Sequence, residues 1–330
     1  MVSPTLLHPL AAESVQFSYC LDRTLQCIAT RYTPSTRSGC IDAAACTLVL
    51  AGGISLSQET WIPIIKELFH LSSLLDSCLQ VRSAWVIERP NHGEPALINA
   101  ETLKNHYAAR FQGLQYSTAI HAFLTSDILS SSERSNLAGI GHSGGGGSLI
   151  QALNYGLRDG CGIPLKALIL LESPLVGPEA WPYFEVLYRG VTKSNLHRTT
   201  IWSSKAAAIA WFKTHFPWKS FHSDVLRIIE DTYFIRDKTN PGYITTKTTI
   251  EQETACFVED GTNLHTFPFL RTILNALPTH IITGALPDIW PTGMYDLISR
   301  NTEDIRDQLA SVTVISDVGH YVSLHSFIVV

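Results

Sequence analysis

Leu137-Ala138-Gly139-Ile140-Gly141-His142-Ser143-Gly144-Gly145-Gly146-Gly147 is the stretch that decides how this chain is read. An apolar run over residues 137–140 leads into Gly141-x-Ser143-x-Gly145, and a helical pattern starts near Gly144. A G-x-S-x-G between strand and helix is the sequence form of a nucleophile elbow. The turn is too sharp for side chains beside the serine, which accounts for the glycines, and it lifts the hydroxyl above the carboxyl end of a sheet. The Gly144 N–H would then face the oxyanion of a tetrahedral intermediate. The same letters fit other readings. Gly139-x-Gly141-x-x-Gly144 has the form of a dinucleotide-binding fingerprint, with Glu172 at the end of the next strand. That motif would sit on about the fifth strand instead of opening its domain. Its acid lies 28 residues past Gly144, against about 20 expected. A phosphate-binding loop lacks its Lys-Ser/Thr. A glycine-rich turn that only packs helix against sheet is the plainer alternative.

Working outward, short apolar runs recur at residues 47–50, 84–87, 167–171, 280–283 and 312–315. Such runs fit strands buried on both faces. Helical patterns separate them: Trp61, Ile64, Ile65 and Leu68 share a helix face, and residues 103–124 read as one long helix. Strands alternating with helices mean βαβ units and a parallel sheet. Ahead of them, residues 14–20 and 25–33 alternate apolar and polar around an Asp-Arg turn, which predicts a hairpin. Residues 34–45 read as a loop. The rhythm breaks over residues 178–268, which hold four of the seven tryptophans, Trp181, Trp202, Trp211 and Trp218, and helical patches at 203–215 and 223–234. The expectation is an α/β core, residues 1–177 and 269–330, with a helical cap inserted after the sixth strand.

Composition narrows the function. Of 330 residues 45% are hydrophobic and 16% charged, with a net charge of −5. A disordered chain needs the opposite balance, and a nucleic-acid binder needs a basic excess that is missing here. The longest apolar runs fall far short of the ~20 residues of a membrane helix. The seven cysteines (20, 27, 40, 46, 78, 161 and 256) form no C-x-x-C and read as free, mostly buried thiols of a reducing compartment. The N-terminal segment lacks the basic and apolar regions of a signal peptide, and Ile328-Val329-Val330 is not a peroxisomal tripeptide. A soluble, cytoplasmic protein is the expectation, with neither metal nor organic cofactor. A homodimer would need an exposed apolar patch, which periodicity alone does not reveal.

Together these features resemble the α/β-hydrolase superfamily, over most of the chain from about Ser14. The segment 139–145, the upstream Asn91-His92-Gly93-Glu94 and the tryptophan-rich insertion are similar more narrowly to fungal α/β-hydrolases of toxin biosynthesis and secondary metabolism. The resemblance implies that Ser143 is the nucleophile and that His320, in Val318-Gly319-His320 after the last strand, is the general base. For the acid it offers two positions, Asp288 after the strand at 280–283 and Glu172 after the strand at 167–171. It places the oxyanion donors at Gly144 and at Gly53 or Ile54, where Ala51-Gly52 replaces the usual His-Gly. His142, His92, Trp181 and Trp211 are the candidate pocket residues. Trp202, Trp218 and Phe221 either join them or form the cap's own core. Of Asn91-His92-Gly93, a turn that requires glycine is the simpler reading. The implied reaction is acyl transfer on a hydrophobic small molecule: hydrolysis of an ester, lactone or thioester, or else cyclisation, acyl transfer or C–C cleavage. A non-catalytic binder on the same fold is the remaining alternative.

Overall fold

The computed structural model describes residues 2–36 and 41–325. Cys40 and the Ile328–Val330 tripeptide lie outside them. Eight strands form one sheet: β1 (Leu10–Cys20), β2 (Thr24–Pro34), β3 (Cys46–Ala51), β4 (Val81–Ile87), β5 (Leu137–His142), β6 (Leu165–Leu171) and, after an interval, β10 (Thr279–Gly284) and β11 (Ser311–Ile315). Between them run three short strands, β7 (Ile201–Trp202), β8 (Phe234–Arg236) and β9 (Ile244–Thr246), which make a separate antiparallel sheet. The large sheet has the order β1-β2-β4-β3-β5-β6-β10-β11. β1 pairs antiparallel with β2, and β2 with β4; every pair from β4 to β11 is parallel.

Burial explains which sequence signals were clear. Every residue of β4 and β5 is buried, so both read as continuous runs. β1 lies on the sheet edge with its inner side chains only partly covered, and it reads as alternation. Both strands of the hairpin are longer than the pattern indicates, because their paired register runs from Leu10↔Pro34 to Cys20↔Thr24.

Two expectations need correction. Residues 103–124 are not one helix. Helices Ala100–His106 and Gly113–Thr125 are separate, and the chain between them is diverted by tertiary contacts. The Tyr107 hydroxyl and Gln115 both bind Asp22 of the hairpin turn. The Phe111 N–H reaches the carbonyl of Ala255 at 2.9 Å. The cysteines are also less buried than expected. The six described ones are free, but Cys20, Cys78 and Cys161 are exposed, all near strand ends or in connections where no core covers them.

Residues 178–268 carry helices Trp181–Asn195, Lys205–Phe212, Ser223–Thr232 and Ile250–Ala255, and add the β7–β9 sheet that the sequence did not signal. These strands have only two or three residues each, too few to show a period. Their core is aromatic: Trp202, Phe212, Trp218, Phe221 and Phe234 pack together, with Phe212 stacked on Trp218 at 4.6 Å. No helix among the described residues is long and apolar enough to cross a membrane.

Candidate active site

β5 ends at His142, and Ser143 turns the chain into the helix Gly144–Arg158 with φ 54° and ψ −131°. This is backbone that a side-chain-bearing residue enters only when its surroundings force it. The surroundings here are two close approaches. A Cβ on Gly141 would lie 2.4 Å from the Gly146 Cα, and one on Gly145 would lie 2.3 Å from the carbonyl oxygen of Ala51. The elbow is therefore wedged between its own helix and the end of β3. The Ser143 N–H is tied to the Leu171 carbonyl at 2.8 Å.

Three strand ends converge on the serine. His320, on the loop after β11, places Nε2 2.8 Å from the Ser143 Oγ. Its Nδ1 lies 3.2 Å from Glu172 Oε2, at the end of β6. Glu172 is aimed by its backbone, at φ 47°, and by the Gly284 N–H on its other oxygen at 2.6 Å. Asp288, after β10, reaches a different part of the same histidine: Oδ1 accepts the His320 backbone N–H at 2.9 Å. Gly319 lets it approach, since a Cβ there would overlap the carboxylate. So of the two acids the sequence leaves open, Glu172 meets the imidazole and Asp288 holds the loop. Ser143, Glu172 and His320 are all buried, whereas Asp288 is exposed.

The loop after β3 packs against the elbow. A Cβ on Gly53 would lie 2.9 Å from His142 Nδ1 and 3.2 Å from the Ser143 Cβ. Among the described residues, no acceptor engages the N–H of Gly53, Ile54 or Gly144. Gly144 also opens a fifteen-residue helix, whose positive end faces the serine. Free amides and a helix N-terminus are what a developing oxyanion needs.

The other two candidate histidines take supporting positions. His142 Nε2 lies 2.9 Å from the His320 carbonyl oxygen. Burial, and then the neighbouring His320, push its pKa down to about 3, so it is a neutral ring that donates through Nε2. His92 is buried below the loop after β3, where its Nε2 accepts the Ser55 N–H at 2.8 Å. Burial, and then the Arg89 cation, hold His92 well below the usual histidine range. The following Gly93 has φ 53°, so the turn does require its glycine.

A cavity of about 790 Å³ opens above Ser143. His142, Ile54, Gly144 and Trp211 border it, as does Trp218; His92 and Trp181 do not. Trp181 is 43% exposed, and Trp202 and Phe221 belong to the aromatic core beside the cavity. Several lining residues carried no signal when read singly. Trp290 and Tyr321 flank the His320 ring edge-on at 4.9 and 5.3 Å. Each lies within two residues of a residue already singled out, which is the clue available. Arg198 and Glu253 form a bidentate pair at 2.6 and 2.8 Å in the cavity wall, and Glu253 also accepts the Ser55 hydroxyl at 3.0 Å. Nothing in their local sequence separates them from surface charges.

Sheet order, elbow and strand-end residues together define an α/β-hydrolase fold. Solved structures share it along nearly the whole chain. A peroxisomal α/β-hydrolase of Saccharomyces cerevisiae is similar at a TM-score of 0.71 and 20% identity, covering 97% of this chain and 85% of that one. The thioesterase domain from the curacin biosynthetic pathway is similar at 0.60 and 12% identity, covering 96% of each chain. A soluble variant of the monoglyceride lipase of Saccharomyces cerevisiae, in complex with a substrate analogue, is similar at 0.51 and 10% identity, covering 94% of this chain and 89% of that one. No protein-family model and no curated protein sequence matches the chain.

Proposed function

We propose that this protein is a serine hydrolase that cleaves an ester, lactone or thioester of a hydrophobic small molecule through an acyl-serine intermediate. The observation that carries the proposal is the 2.8 Å approach of His320 Nε2 to Ser143 Oγ, with Glu172 behind the imidazole. His320 takes the Ser143 proton as Oγ attacks the carbonyl carbon, and Glu172 stabilises the resulting imidazolium. The tetrahedral oxyanion is held by the Gly144 N–H and by that of Gly53 or Ile54. Collapse expels the leaving group, which His320 protonates. Water, deprotonated by the same histidine, then releases the acid and restores Ser143.

Residues 178–268 act as the cap. Trp211 and Trp218 from this segment line the same cavity as Ser143. The wall joins aromatic and aliphatic side chains such as Phe184, Leu187, Trp211 and Trp218 to polar groups such as Arg198 and Glu253. This suits a largely hydrophobic substrate that carries some polar groups, and a secondary metabolite is the class the sequence resemblance favours. The thioesterase and lipase activities named for the structural neighbours support acyl transfer as the reaction class. The residues that assemble here need neither metal nor organic cofactor for this chemistry. The test is intact-protein mass spectrometry after treatment with a fluorophosphonate. One adduct on the wild type, absent from Ser143→Ala and His320→Ala, is the expected result; no adduct on folded wild type overturns the proposal.

A further inference from the structure

Arg89 follows β4 by two residues and is only 4% exposed. Its Nε and Nη2 are buried without a hydrogen-bond partner, and no carboxylate among the described residues pairs with it. Among the described residues the guanidinium packs on the face of the Tyr116 ring, with its carbon 4.3 Å from the ring centre. An uncompensated buried charge is costly, and removing such a cation normally relieves the fold. This one lies against the elbow: Nη2 is 3.5 Å from where a Cβ of Gly144 would stand.

We propose that Arg89 is a positioning residue of the oxyanion site, a fixed positive charge that acts through Gly144. The inference rests on the acyl-serine reading above. In the resting enzyme the cation lacks an anionic partner. When the tetrahedral oxyanion forms at the Gly144 N–H, negative charge appears beside the guanidinium in a site of low dielectric. The attraction is therefore made in the transition state and not in the ground state, the condition for raising kcat.

The experiment measures the fluorophosphonate labelling rate, together with kcat and KM for p-nitrophenyl butyrate, in wild type, Arg89→Met and Arg89→Lys. Labelling joins Ser143 Oγ to phosphorus, breaks the P–F bond, releases fluoride and passes the serine proton to His320, so it develops the same oxyanion. Folded Arg89→Met should label about tenfold or more slowly, with a matching fall in kcat and KM within about twofold. Arg89→Lys, which keeps the charge, should recover most of the rate. If Arg89→Met does not fold, Arg89→Gln replaces it with the same expectation. Wild-type rates in a folded neutral variant, or an Arg89→Lys as slow as the neutral one, overturn the Arg89 proposal alone. An unlabelled wild type overturns the acyl-serine reading on which it rests.

Discussion

Glu172 Oε2 lies 3.2 Å from His320 Nδ1, although the strand before Glu172 and the strand before His320 are not neighbours in the sheet. β10 runs between them, and its end supplies Gly284 to one oxygen of Glu172 and Asp288 to the His320 backbone. The two carboxylates thus act on one histidine at different atoms, and their neutral variants should behave differently. Glu172→Gln removes the charge behind the imidazole and should lower kcat by about 10³- to 10⁴-fold. Asp288→Asn disturbs one backbone hydrogen bond, worth about 1 kcal/mol, and should stay within about tenfold. Steady-state kinetics on an activated ester checks both, and equal losses would contradict the assignment.

Ser143 holds a strained backbone, with φ 54°. Ser143→Gly should abolish turnover and stabilise the fold by about 1 kcal/mol, raising Tm by about 2 °C. Differential scanning calorimetry reads the shift. A lower Tm would mean that the serine side chain contributes more to folding than its backbone costs.

The four consecutive glycines are not equivalent. A Cβ on Gly145 meets the Ala51 carbonyl oxygen at 2.3 Å, whereas on Gly144 it meets nothing closer than 3.5 Å. Gly145→Ala should therefore destabilise by about 3 kcal/mol or more. Gly144→Ala should be neutral, or stabilise the start of the helix by up to about 1 kcal/mol. Urea denaturation of the two variants makes the comparison.

Stability should depend on pH through the buried histidines. His142 titrates at about 3 when folded, below its unfolded value of 6.5. The unfolded chain therefore binds the proton first. The contribution is complete above pH 6.5 and is lost as pH falls toward 3, at about 1.4 kcal/mol per pH unit per group. His92, shifted in the same direction, adds to the same window. His142→Gln should flatten the curve of unfolding free energy against pH between those limits. An unchanged slope would show that His142 is already charged in the folded protein.

The sequence by itself determined the α/β rhythm, the hairpin, the elbow at Ser143 and the loop position of His320. Each is a local signal: buried strands read as apolar runs, and a turn as tight as Gly141–Gly145 admits only certain residues. Tertiary structure decided what depends on groups far apart in the chain. The sequence places Glu172 and Asp288 at equally plausible strand ends, and only the sheet order brings one to Nδ1 and the other to the backbone N–H. The break after His106 follows from Asp22 and Ala255, which no pattern within residues 103–124 contains. Trp211 faces the cavity while Trp202, nine residues earlier, fills the core beside it. A composition rich in tryptophan cannot tell these apart, because facing is set by how the helices and short strands of residues 178–268 pack over the sheet. Nothing in the local sequence marks Arg198 as the partner of Glu253 or Arg89 as a buried cation; among the described residues only the fold gives the first a carboxylate and the second none.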